Sequence, residues 1–310
     1  IREHGGGWLL PLGSAEDVYL ELVRMARDVD GHLERLHEVS RWQRGHGRAH
    51  DTQAMARRYA NIYADLLEPG RDSDVPCVAV VTPSGNTASA PASEHVRVRE
   101  RIRAGAGRRV DYQRVHWSSI VTSGAGRFDA VLVQRTAVPK EHVVAFVEST
   151  ERAGIPIVFE LDDDLLDVPV EKDPDGHYAA QARALLTLAR AAALVTVSTE
   201  PLAERLRAHN PNVAVIPNAL SERLWLGPHS ELAPEGSPAP RAADELRLFY
   251  MGQLTHGEDL ELIEHALDAV RVEFPSVRLF VVGGSRERLG WCDRVTIPDS
   301  VKDYPSFVPW

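Results

Sequence analysis

The sequence predicts an α/β protein built on doubly wound parallel sheets, and three observations lead there. Short runs of apolar and β-branched residues, "CVAVVT" (77–82), "FDAVLVQ" (128–134), "IPIVFEL" (155–161), "LVTVS" (194–198) and "VAVIP" (213–217), are too continuous for one-sided strands and suit strands covered on both faces. Between them run "PASEHVRVRERIRA", "PKEHVVAFVESTERAG", "HYAAQARALLTLARAAA" and "PLAERLRAH", helical by length and spacing. Alternation of the two predicts βαβ crossovers, hence a Rossmann-like sheet with helices on its faces. At 310 residues, 44% hydrophobic and 26% charged, the chain is long enough for about two such domains.

Taken in order, "WLLPL" (8–12) reads as a short strand, and Ser14 with Asp17 offers an N-cap for a helix from about 15 to 28. Met55, Tyr59, Ile62, Tyr63, Leu66 and Leu67 recur at steps of three and four, which makes "DTQAMARRYANIYADLLE" an amphipathic helix starting near Asp51. "EPGRDSDVP" (68–76) breaks that pattern and marks a boundary. In the fourth connection Ser198 and Thr199 are placed to cap, Pro201 suits the first helical turn, and Asn210-Pro211 closes the helix. "LGPHSELAPEGSPAPRAADE" (226–245) has no apolar periodicity and reads as a linker. A second βαβ follows: strand "LRLFYMG", helix "GEDLELIEHALDAVRVEF", strand "VRLFVVGG" and a short "RVTIP". The expected organisation is a helical segment over 1–70, a Rossmann-like domain over 75–225, the linker, and over 246–310 the start of a second, incomplete domain.

Composition narrows the partners. A formal net charge of −10 disfavours a nucleic-acid surface, which needs a concentrated basic stripe. Cys77 and Cys292 are far apart and form neither a disulfide framework nor a zinc pattern, which suits a reducing, cytoplasmic setting. No apolar run approaches the roughly 20 residues that span a bilayer, and no leader pattern opens the chain. Neither a GxGxxG nor a GxxxxGK[ST] follows any strand, so dinucleotide cofactors and P-loop phosphoryl transfer are disfavoured.

In open α/β sheets ligands bind beyond the carboxyl ends of the strands. Those ends hold Ser93 and Arg97, Arg135, the run Glu160 to Asp164, Asn218, and in the second half Gly252 to Asp259 with Gly283 and Gly284. "LVTVSTEPLAERLRAHNPNVAVIPNALSERLW" followed by a linker and "LRLFYMGQLTHGEDLELIEHALDAVRVEFPSVRLFVVGG" resembles the middle of nucleotide-sugar-dependent glycosyltransferases of the GT-B fold, of the bacterial polysaccharide type. "VFELDDDLLDVP" is similar to an acidic segment of the same relatives. The resemblance covers about 77 to 310 and implies retaining transfer of a sugar from a nucleotide diphosphate sugar to a glycan or lipid-linked acceptor, with no metal required. It implies the acceptor on the first domain and the donor on the second. Two features of the family's donor domain, a basic residue after its first strand and a spaced glutamate pair, have no counterpart here. The first seventy residues resemble the tail of such a transferase, so the chain is read as a piece spanning two tandem units; a plain helical extension and a tail that folds back to complete the second domain are the alternatives.

Gly252 permits close backbone approach, and amides from His256 to Leu260 at a helix start could face a diphosphate with Thr255, His256 and Asp259; a simple helix cap reads equally well. Gly283 and Gly284 are either part of that cradle or a tight turn. Asp162, Asp163 and His177 are the catalytic candidates, and Ser93, Arg97, Arg135, Glu160 and Asn218 the acceptor-side ones. For the aspartates three readings stand: turn carboxylates accepting amides, catalytic or acceptor contacts, and a metal pair Asp162/Asp164 as in GT-A transferases. Arg97 and Arg99 also read as solvated residues on a helix face, and a non-catalytic binding module is the second functional reading.

Overall fold

The computed structural model describes residues 15–28, 31, 34, 52–66, 75–85, 90–105, 110–225, 245–252, 261, 263–283, 290–295 and 303–308. The chain divides into two compact units, Arg48–Pro228 with Asp303–Pro309, and Ile1–Gly47 with His229–Lys302 and Trp310.

The first unit carries a six-stranded, all-parallel sheet in the order β2-β1-β3-β4-β5-β6, formed by β1 Cys77–Val81, β2 Asp111–Arg114, β3 Ala130–Gln134, β4 Ile157–Leu161, β5 Leu194–Val197 and β6 Val213–Val215. Strands β1, β3, β4 and β5 are the apolar runs of the sequence and are covered on both faces. Sequence periodicity gives no sign of β2. "DYQR" is an edge strand, mostly exposed, so it needs no apolar run.

Strand order fixes which helix covers which face. From β3 onward every crossover runs the same way, so Val143–Ala153, His177–Ala191 and Glu200–Arg207 share a face; there Val81, Val133, Phe159 and Val197 pack against Phe146, Leu185, Leu188 and Leu206. The β1-to-β2 crossover runs the opposite way and puts the helical stretch 92–105 on the other face. One crossover cannot cover that face. The helix Thr52–Leu66 does the rest, laying Met55, Tyr59 and Tyr63 on Val78, Val80, Ala130, Leu132 and Val158. The stretch 92–105 is itself irregular: Ala92–Glu94 is α, His95–Arg99 is π, and Glu100–Gly105 is α again.

In the second unit β7 Leu246–Gly252, β8 Val277–Gly283 and β9 Asp293–Val295 form a parallel sheet in that order. Leu279 and Val281 of β8 pack with Ala266, Leu267 and Val270 of Glu264–Glu273 and with Val18, Leu22 and Val23 of Ala15–Arg27. Tyr19 Oη donates to Glu273 (2.6 Å) and Arg27 pairs with the same carboxylate (2.9 Å). The two N-terminal helices thus serve different sheets, Ala15–Arg27 the second and Thr52–Leu66 the first. The expected linker, 226–244 of it, and the expected strand 8–12 lie outside the described residues.

Candidate functional site at the carboxyl edge of the first sheet

Strands β1 and β3 are neighbours whose following chains depart in opposite directions, which makes their carboxyl ends the topological switch point where α/β sheets take ligands. After β1 a turn closes with Gly85 N–H donating to Thr82 O, and Gly85 takes φ +56°, a left-handed conformation that glycine adopts without strain. Ser84 donates to the buried Glu94 from Oγ (2.7 Å) and N (3.2 Å), while Arg99 Nε reaches the same carboxylate at 2.6 Å. Burial pushes Glu94 upward, but the hydrogen bonds from Ser84 and Arg99 outweigh it and hold the carboxyl below its usual range. Beside this turn His116 and Trp117 follow β2, and the indole of Trp117 stacks on His142 with centroids 4.4 Å apart.

One strand further, Arg135 and the aspartates meet. Arg135 follows β3 directly and has φ +48°, an uncommon value for a non-glycine residue. Its Nη1 lies 3.0 Å from Asp163 Oδ2 and 3.4 Å from Asp162 Oδ1. The Asp162 side chain is 7% exposed, its main-chain carbonyl accepts from Ser198 Oγ (2.7 Å), and Oδ1 has no hydrogen-bond partner among the described residues. At 3.4 Å the Arg135 contact is Coulombic without hydrogen-bond geometry. Burial raises the Asp162 carboxyl, Arg135 partly counters it, and Asp163 adds to the rise. Ser198 is spent on that carbonyl and Thr199 makes no side-chain cap bond, so the capping expected of this pair is not what the structure has.

Asp164 belongs elsewhere. It accepts from Leu166 N–H (3.2 Å) and pairs with Arg205 (2.7 Å), which also reaches Asp167. Asp162 and Asp164 therefore engage different arginines, and the described residues contain no group of His, Cys, Asp and Glu able to hold a metal. His177 opens the helix His177–Ala191, exposed, its ring edge-on to Tyr178, with no hydrogen bond or ion pair to Asp162 or Asp163 among the described residues.

Three of the acceptor-side candidates come together, Arg97 and Glu160 inside the protein and Asn218 at its surface. Gln134, Glu160 and Thr196 stand in register on β3, β4 and β5, on the face covered by Thr52–Leu66. Arg97 and Glu160 are both fully buried, with Nε and Nη2 of the guanidinium each 2.7 Å from Oε1. Oε2 accepts from the Tyr59 hydroxyl and from Thr196 Oγ1. Arg97 Nη1 donates to Ile216 O and to Asn218 Oδ1 (3.1 Å). Four donors saturate the carboxylate. Burial alone would weaken the hold of Arg97 on its proton, and Glu160 reverses the sign and makes that hold firmer than usual. Arg97 is thus no solvated helix-face residue: it lies on the π segment His95–Arg99 and is fully buried with Val98 and Arg101. Ser93 contributes its carbonyl, which accepts from Gln134 Nε2 (3.3 Å), and Gln134 Oε1 is buried without a hydrogen-bond partner among the described residues. Arg101, a further fully buried arginine, lies 3.5 Å from the Tyr59 ring centroid and has no hydrogen bond on any guanidinium nitrogen among the described residues.

Of the donor-side candidates, Gly252 and Gly283 are paired residues at the carboxyl ends of β7 and β8. A Cβ on Gly252 would come 2.6 Å from the Tyr250 hydroxyl, so the close approach there is to the strand's own tyrosine. Thr255, His256, Asp259 and Gly284 lie outside the described residues. Sequence reasoning missed Tyr59, Glu94, Thr196, Trp117 and His142. A rule naming strand ends would have found Trp117 had β2 been legible, whereas His142 lies in the turn Lys140–His142, several residues beyond the end of β3. No helix among the described residues is long and apolar enough to cross a membrane. Compared with models of known protein families and with curated proteins, the chain matches none.

Proposed function

We propose that the protein is a nucleotide-sugar-dependent glycosyltransferase of GT-B type, with Asp162 at its chemical centre. The observation that carries this reading is a carboxyl at the end of β4, nearly buried, raised above its usual range, with one oxygen unpartnered and a guanidinium beside it. A base whose affinity for protons has been lifted toward the working pH removes a hydroxyl proton more effectively than an ordinary surface aspartate. In the reaction the acceptor oxygen forms a bond to the anomeric carbon, the bond to the diphosphate breaks, and the hydroxyl proton passes to Asp162. Arg135 orients that carboxyl and offsets part of the repulsion that Asp163 exerts on its ionised form. Further support comes from a second parallel sheet after the first, whose glycine-ended strands suit a donor nucleotide, and from the ordered sequence resemblance along 77–310. His177 is left out of this scheme because nothing joins it to the aspartates among the described residues.

Melting of the full chain against UDP, GDP, ADP and TDP tests the donor half. One of them should raise the melting temperature by mass action, by about 2.7 kcal/mol of stabilisation at a hundredfold excess over Kd, with chelator present. No shift with any of the four contradicts a transferase and favours the non-catalytic module.

A further inference from the structure

A cavity of about 470 Å³ opens at the other edge of the second sheet, lined by Glu245, Arg271, Ser276, Arg278, Trp291 and Asp293. Glu245 immediately precedes β7, Val277 starts β8 and Asp293 starts β9, so this is the amino edge, away from Gly252 and Gly283. Its size falls in the roughly 300–1,000 Å³ typical of small-molecule sites.

The lining is unusual for a surface hollow. Trp291 is pinned: its Nε1–H donates to Asp268 Oδ1 at 2.7 Å, and Arg271 lies toward its ring, 5.9 Å from the centroid. Arg278 pairs with Asp293 at 2.7 Å across β8 and β9, and Glu245 accepts from Arg247 Nε at 2.7 Å. Two carboxylates and two guanidinium groups line the cavity, so their formal charges cancel. A phosphate or polyanion gains little from such a wall, because it carries as many carboxylates as guanidinium groups, and Arg278 is already paired with Asp293. A purely apolar ligand would leave the polar rim unmatched. What fits is a neutral ligand with one apolar face for a fixed indole and adjacent hydroxyls for planar, two-pronged donors and acceptors.

We infer that this cavity is a carbohydrate-binding site for a short neutral oligosaccharide, stacked on Trp291 and hydrogen-bonded by the Arg278–Asp293 pair. Binding here requires no sugar transfer, so the site stands whether or not the chain is a transferase.

The test is isothermal titration of the full chain with maltotriose, cellotriose and chitotriose, and with trigalacturonate as the charged probe. At least one neutral trimer should bind with a Kd of about 1 mM; Trp291→Ala should weaken it about tenfold or more, and Trp291→Phe by about threefold at most. Asp162→Asn, in the other unit, should leave it unchanged. Ser276→Trp fills an exposed part of the wall without touching the core and should abolish binding, which keeps the test decisive if Trp291→Ala does not fold. The inference is overturned if no neutral trimer binds at about 20 mM, if trigalacturonate binds in their place, or if Ser276→Trp binds as the parent does.

Discussion

Arg97 and Arg101 sit four residues apart, both fully buried, and their removal should have opposite consequences. Arg97 is matched: two of its nitrogens hold Glu160 Oε1 and a third holds the Ile216 carbonyl and Asn218. Arg97→Met leaves Glu160 as an uncompensated charge in the core with only the Tyr59 and Thr196 hydroxyls as donors. Removing one partner of a buried pair costs about 3–5 kcal/mol. In a unit the size of Arg48–Pro228, each kcal/mol moves the midpoint by about 2–4 °C, so a loss of roughly 6–20 °C is expected. Arg101 has no hydrogen-bond acceptor among the described residues. Arg101→Met gives up a stack on Tyr59 worth about 2 kcal/mol, but it also removes three buried donors that have no acceptor, each costing about 1–3 kcal/mol. Its midpoint should stay where it was or rise. Calorimetry resolves the transition of this unit in each variant. Equal losses for the two substitutions would refute the reasoning, since burial alone, and not pairing, would then set the cost.

Other outcomes follow from the same geometry. Thr196→Val removes one donor to Glu160 while keeping the shape, and should cost about 1.5–3 kcal/mol by urea titration; a change within error would mean the hydroxyl is redundant. Arg135→Gly and Arg135→Ala lose the same ion pairs, yet the glycine variant should be the more stable by about 1 kcal/mol, because only glycine accepts φ +48° without strain. The folded state binds the Asp162 proton more tightly than the unfolded chain does, so ionising it lowers stability as pH rises above the unfolded value of about 3.9. Asp162→Asn should therefore be more stable than the parent at pH 7, with the gain vanishing below that value. Glu94 has the opposite sign: its folded carboxyl is the stronger acid, so its contribution is present above about 4.3 and is lost as pH falls through the lowered folded value. Glu94→Gln should destabilise at pH 7 and match the parent in acid.

The parallel sheet was legible because strands buried on both faces must be apolar throughout, and Val131, Leu132 and Val133 or Val158 and Phe159 leave no other reading. Edge strand β2 was not, because all of its residues but Tyr112 are exposed and they carry no apolar pattern. The amphipathic stripe of Thr52–Leu66 announced a helix, but which sheet its Tyr59 and Tyr63 would meet is set by contacts more than a hundred residues away, such as Tyr59 with Glu160, and periodicity holds no such information. Arg97 misled for a related reason. "HVRVRE" gives no hint that its first arginine meets a buried carboxylate, because Glu160 lies 63 residues further along the chain. The three consecutive aspartates looked like one feature. They separate because Arg135 and Arg205 come from different elements and each claims its own partners.

The most direct test of the account is turnover of nucleotide sugar by the parent and by Asp162→Asn, followed as release of nucleoside diphosphate with the nucleotide that shifts the melting curve. Removing a positioned base should slow the reaction by roughly 10²–10⁴-fold while nucleotide binding is kept, with Asp163→Asn much less affected. Undiminished release from Asp162→Asn would contradict the assignment of the chemistry to the carboxyl end of β4.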